Sequence, residues 1–79
     1  MLKVYDQAND YEYARGENME ELIADWNAKA IKNLSWLLEH GEEQAYEEMT
    51  EEIYREDNLR DAMDWINNIE VNDLQIVEA

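Results

Sequence analysis

From Met19 to Leu37, apolar residues return at steps of three and four: Met19, Leu22, Ile23, Trp26, Ala30, Leu34 and Leu37. That period puts all seven on one face of a helix, and no other stretch of the chain sustains it for so long. Asn18 offers a side-chain oxygen to the exposed N–H groups of the first turn, and Glu21 follows three positions later, as in a capping box. Ile31 and Leu38 widen the stripe, and Gly41 after His40 is a C-terminal stop. The spacing predicts a helix of about 22 residues, roughly 33 Å long. A stripe of that length must be covered by the rest of the chain.

The flanking segments supply the cover. Leu2 and Val4 alternate with Lys3, Tyr5 and Gln7, which predicts a strand over 2–7. Asn9 and Asp10 have turn chemistry, and Tyr11 and Tyr13 alternate with Glu12 and Ala14 in a second strand over 11–15, closed by Arg15 and Gly16. Ala45, Tyr46, Met49 and Ile53 form a stripe that predicts a second helix over 42–56. A third begins near Asp57 and Asn58, with Leu59, Ala62, Met63, Ile66 and Ile69 on one side and Trp65 at the margin. Asn67, Asn68, Asn72 and Asp73 punctuate the chain before a last strand around Leu74, Ile76 and Glu78. A lone strand pair is not stable in water. The expected fold is therefore α+β and mainly helical: a single domain, 1–79, with three helices on a small antiparallel sheet made from the N-terminal hairpin and the C-terminal strand.

Such a core is thin. Leu, Ile and Val number sixteen of 79 residues, and there is no Phe. Three Trp, five Tyr and four Met make up the difference, since a large aromatic side chain buries about 150–250 Å². Nine core positions are expected: Leu22, Ile23, Trp26, Leu34, Met49, Ile53, Leu59, Met63 and Ile66. Trp36 and Trp65 fall on face margins, with Tyr5, Tyr11, Tyr13 and Tyr54 partly exposed. Trp36, Tyr54 and Trp65 are the candidates for contact roles, because Trp and Tyr commonly anchor interfaces; the alternative is that they cover the hairpin or a dimer seam.

Charge is the strongest constraint on function. Twenty-one Asp and Glu against six Lys and Arg leave a formal charge of −15. Nucleic acid and anionic membranes would repel such a chain, so neither is expected as a direct partner. Without cysteine there is no disulfide, thiol chemistry or thiolate-held metal. Residues 1–14 contain no apolar run, so no secretory signal is expected, and no stretch approaches the roughly 18 apolar residues of a membrane span. The expected location is the cytoplasm.

Catalytic constellations are poorly represented. Ser35, Thr50 and His40 are the only residues of their types, and Ser35 and His40 fall on different faces of one predicted helix. His40 beside Gly41 suits a helix C-terminus, where the dipole favours a donor or cation. No calcium-loop pattern occurs, and Leu37 holds the position where a di-iron bundle would place a Glu three before His40. Gly16 and Gly41 cannot make a phosphate loop. No enzymatic activity, catalytic residue, cofactor or metal is expected.

The informative segment is 42–64, with ten carboxylates against Arg55 and Arg60. On a helical wheel Glu43, Glu47 and Glu51 form one row, and Glu48 and Glu52 a second. Like charges four apart on a helix repel by a few tenths of a kcal/mol per pair, so the stripe is locally unfavourable. Eight net charges over roughly 35 Å of helix give about one per 4 Å, close to the 3.4 Å per phosphate of one DNA strand. Carboxylates four apart also lie about 6 Å apart along the axis, a spacing suited to successive phosphate-binding Arg or Lys. The candidate partner-binding residues are Glu43, Glu47, Glu48, Glu51, Glu52, Asp57, Asp61 and Asp64. A merely solvated face that confers solubility is the competing reading.

In size, charge, lack of cysteine and glutamate-studded helices, the chain resembles the small phage-encoded DNA-mimic inhibitors of anti-CRISPR and antirestriction type. The resemblance is one of style and transfers no individual residue. It implies a non-enzymatic inhibitor, monomeric or homodimeric, that occupies the basic nucleic-acid-binding surface of a CRISPR effector, restriction enzyme or similar complex. Members that are not mimics bind elsewhere and block nuclease recruitment. The alternative is an acidic immunity protein or antitoxin that neutralises a basic nuclease toxin.

Overall fold

The computed structural model describes residues 1–69 and 71–79. Strands β1 (Leu2–Asp6) and β2 (Tyr11–Gly16) form the expected hairpin. Helix α1 (Met19–Asn33), the single turn α2 (Trp36–Glu39), helices α3 (Glu43–Met49) and α4 (Glu56–Ile69), and strand β3 (Leu74–Glu78) follow. Three helices of seven residues or more thus pack with one antiparallel sheet of order β2-β1-β3, the expected α+β class, 51% helical and 21% strand.

The sheet closes through Asp6. This carboxylate, 1% exposed, accepts hydrogen bonds from the N–H groups of Ala8 and Asn9, from the Asn9 amide, and from the Asp73 N–H at 3.0 Å. One buried anion therefore shapes the hairpin turn and ties it to the approach to β3. Asp10 takes the left-handed conformation that the turn requires, at φ 54°. β3 then pairs with β1 from Asp6↔Leu74 to Leu2↔Glu78.

β2 departs from strict alternation. Its register with β1 shifts between Val4↔Ala14 and Tyr5↔Glu12, leaving Tyr13 as the extra residue of a bulge. Tyr13 and Ala14 are consequently both buried, whereas the sequence placed Tyr13 at a half-exposed position. The Tyr13 ring stacks on Trp26, with centroids 5.8 Å apart and planes at 20°. Burial, aided by the charge of Asp6 and opposed by a hydrogen bond with Trp36, pushes its phenol up to about 12.

α1 starts as expected. Asn18 Oδ1 accepts from the Glu21 N–H at 3.0 Å, and Glu21 Oε1 accepts from the Glu17 N–H. Gly16 lets the strand run against this turn, since a Cβ there would lie 2.4 Å from the Leu22 nitrogen. The helix does not run unbroken to Gly41. Ser35 Oγ donates to the Lys32 carbonyl at 3.0 Å, and the next bonds tighten to three-residue spacing, from Leu37 to Leu34 and Leu38 to Ser35. Leu34 and Leu37 are fully buried, while Ile31 and Leu38 lie outside and do not widen the core face. The stop at Gly41 is as read: φ is +77°, and Glu42 and Gly41 donate to Leu37 and Leu38 at 2.8 and 3.2 Å, closing a Schellman turn.

The second helix is shorter than its stripe. α3 ends at Met49, and 50–55 are irregular. Thr50 Oγ1 donates to the Tyr46 carbonyl at 2.7 Å, and the Asn27 side chain takes both backbone groups of Ile53. Its Oδ1 accepts from the Ile53 N–H at 2.9 Å, and its Nδ2 donates to the Ile53 carbonyl at 2.8 Å. Those groups are bonded to a side chain on α1 in place of a continued helix. Asn67 clamps Leu74 in the same way at the start of β3. Eight of the nine expected core residues are buried; Ile53, in the clamped connector, is half-buried.

Candidate acidic interface

The side chains that bury α3 and α4 decide where the carboxylates go. α3 turns Ala45 and Met49 inward, which leaves Glu43, Glu47 and Glu48 outside. α4 buries Leu59, Ala62, Met63 and Ile66, which leaves Asp57, Asp61 and Asp64 outside. Glu51 and Glu52 project from the connector. All eight are exposed. The two rows expected along a single helix are broken, because Glu51 and Glu52 lie beyond its end at Met49.

Half of the eight are brought together. Glu48, Glu51, Glu52 and Asp61 line a groove of about 320 Å³ between the connector and α4, with Met49, Ile53 and Ala62 as apolar lining. Tyr54 and Trp65 also line it and are 76% and 42% exposed. Asn58 completes the lining. Glu43, Glu47 and Asp57 do not line this groove, and Asp64 lies in another shallow hollow beside Arg60 and Gln75.

Electrostatically the two sides of the molecule differ. Glu12 pairs with Arg15 at 2.7 Å and Lys3 at 3.8 Å, and Asp25 with Lys29 at 2.9 Å. The Arg15 hydrogen bond holds the Glu12 carboxyl below the usual range. Burial raises the Asp25 carboxyl, but the hydrogen bonds from Lys29 and the Arg15 N–H together outweigh it and lower it. Among the described residues, none of the eight candidate carboxylates is held in an ion pair; in this segment only Glu56 is, with Arg60 at 2.9 Å. Glu52 accepts from the Tyr54 hydroxyl at 2.9 Å, and that bond and charge raise the Tyr54 phenol.

The other chemically capable side chains are engaged locally. Ser35 and Thr50 donate to helix carbonyls, and His40 caps α2 with its ring edge-on to Trp36 at 5.5 Å. Trp36 lies away from the acidic groove, in a concavity with Tyr11, Tyr13 and Asn33. There the Tyr11 hydroxyl donates to Asn33, and Asn33 donates to the Tyr13 carbonyl, both at 2.7 Å. Among the described residues no group of three or more His, Asp or Glu could hold a metal ion, and no helix is long and apolar enough to cross a membrane.

Sequence reasoning named Tyr54 and Trp65 individually but not their meeting with Glu48 and Asp61. The missing signal was Asn27. A lone amide within the apolar stripe of α1 fixes the connector, and nothing in 42–56 itself announces that bend. Comparison with family models, with characterised proteins and with solved structures finds no match.

Proposed function

We propose that this chain is a non-enzymatic inhibitor of the anti-CRISPR or antirestriction type. In this reading it is phage-encoded and acts in the cytoplasm of a bacterial host. It lays the face built from α3, the connector and α4 against the basic nucleic-acid-binding surface of a defence complex. One observation carries the reading: eight exposed carboxylates on adjoining elements, none held in an ion pair among the described residues. Clustered anions repel one another in the free protein, and a cationic channel supplies the counter-charge that the chain lacks. Complementary potentials of this kind accelerate encounter and exclude wrong partners.

The test begins with capture from bacterial lysate at low salt, elution by a salt gradient and identification by mass spectrometry. The captured complex should lose its nucleic acid as this chain is added. Changing Glu43, Glu47, Glu48 and Glu51 together to Gln should weaken binding by about 2–5 kcal/mol, some 30- to several-thousand-fold, and flatten its salt dependence. A partner that binds nucleic acid and this chain at the same time would defeat the mimic. Capture of a basic nuclease toxin would transfer the reading to an immunity protein or antitoxin.

A further inference from the structure

The acidic face is not uniform, and the groove between the connector and α4 has a chemistry that bulk charge does not require. Solvated carboxylates need no aromatic neighbours, yet Trp65 and Tyr54 are left exposed where Glu48, Glu51, Glu52 and Asp61 converge. α4 turns Leu59, Met63 and Ile66 into the core, while Trp65, next to Ile66 in the chain, stays 42% exposed and lines the groove. The groove volume of about 320 Å³ is at the bottom of the range of about 300–1,000 Å³ for ligand pockets, which suits one or two side chains rather than a cofactor.

Resting on the proposed acidic-face reading, we infer that this groove is the anchor point of the interface and that its occupant is an arginine side chain in a basic segment of the partner protein. A guanidinium is planar and weakly hydrated, so it stacks on an indole face while its fork of N–H groups reaches carboxylates beside the ring. Trp65 supplies the aromatic surface, and Glu48 and Asp61, from α3 and α4, supply acceptors. Met49, Ile53 and Ala62 line the groove against the methylene stem. A lysine ammonium holds its water more strongly and cannot use the fork, so the groove discriminates between two residues that the surrounding charge treats alike. Charge complementarity and the aromatic lining together select this occupant over an apolar peptide, which four carboxylates would repel by desolvation cost.

Two capped heptapeptides, Gly-Arg-Gly-Arg-Gly-Arg-Gly and its all-lysine counterpart, are sufficient probes, titrated by calorimetry at about 50 mM salt. The intact chain should bind the arginine peptide about fivefold more tightly, in the range that an exposed cation–π contact supports. Trp65→Leu should bring that ratio to about one and Trp65→Tyr should keep most of it, both with circular dichroism of the parent. Glu43→Gln with Glu47→Gln, outside the groove, should weaken both peptides equally and leave the ratio alone. Equal affinity of the two peptides for the intact chain, or an unchanged ratio in Trp65→Leu, overturns the groove while leaving the acidic face standing. Binding of neither peptide overturns both.

Discussion

Asp6 joins the hairpin turn to the approach to β3 through four accepted hydrogen bonds. It is the one buried charged side chain among those described, and every bond it accepts comes from a neutral N–H. Burial pushes its pKa up, but the Asn9 amide and the N–H groups of Asp73, Asn9 and Ala8 together lower it below the ordinary 3.8. A carboxyl with a depressed native pKa contributes stability that is fully present above its unfolded value. That contribution is lost as pH falls from about 3.8 through the native value. Asp6→Asn keeps the shape but turns an acceptor into a donor facing Asn9. It should cost about 1–3 kcal/mol at neutral pH, and the loss relative to the parent should shrink in acid. Denaturant melts at about pH 7 and pH 3 measure both; a cost that does not change with pH would remove Asp6 from this role. Trp26 presents the opposite case. It is 2% exposed and stacked on Tyr13, yet among the described residues its indole N–H has no acceptor. Its value is therefore packing rather than hydrogen bonding. Trp26→Ala should cost about 3–5 kcal/mol, much of a small domain's stability, whereas Trp26→Phe should cost less than half as much. Similar losses in the two thermal melts would contradict this account.

At the scale of elements, short side-chain clamps decide what periodicity alone leaves open. Asn27 holds the connector by both backbone groups of Ile53, and the connector carries Glu51, Glu52 and Tyr54. Asn27→Ala should therefore destabilise by about 1–3 kcal/mol. It should also raise amide hydrogen exchange in 50–55 well above that in α4, and weaken binding at the groove beyond what the stability loss explains. Exchange rising evenly over the whole chain would mean that the clamp serves the core alone. The same clamp shows where the sequence is legible and where it is not. Asn18, Glu21 and Gly41 act within one turn of themselves, so the start of α1 and the stop after α2 could be read directly. The inward stripes of Leu22 to Trp26 and Leu59 to Ile66 were equally plain, because burial repeats with the helix. The stripe from Ala45 to Ile53 runs past the end of the second helix because that end, at Met49, is fixed in part by a residue 26 positions before Ile53. Alternation alone does not show the burial of Tyr13, because a bulge breaks period two without leaving a mark in composition. The candidate site divides the same way: the acidic residues were visible as composition, while the groove that gathers four of them depends on the bend at 50–55.

For the whole molecule, the question is whether its charge acts as a diffuse cloud or as a local stress. A net charge of −15 over 4960 Å² is roughly one per 330 Å², a mean separation of about 18 Å, more than twice the Debye length of about 8 Å at physiological salt. Spread evenly, that repulsion would be largely screened. It is not spread evenly: residues 42–79 hold thirteen acidic side chains against Arg55 and Arg60, and among the described residues the ion pairs of the sheet side have no counterpart at the eight candidate carboxylates. Glu43 and Glu47 on α3, and Asp57 and Asp61 on α4, are still four apart on a helix and so about 6 Å apart along the axis, inside the screening distance, and the stress persists at those pairs. Adding salt from about 20 to 500 mM should raise the melting temperature of the parent chain. Changing Glu43, Glu47, Glu48 and Glu51 to Gln should raise it at low salt by about 0.2–0.5 kcal/mol's worth, some 1–4 °C for a chain of this length, and should reduce the salt response. The two effects have one origin, so they must move together. If the variant is stabilised but still gains as much from salt as the parent, the repulsion is seated elsewhere. If neither changes, the carboxylates of this face are far enough apart to ignore one another, and the case for a face strained until a cation meets it falls with that result.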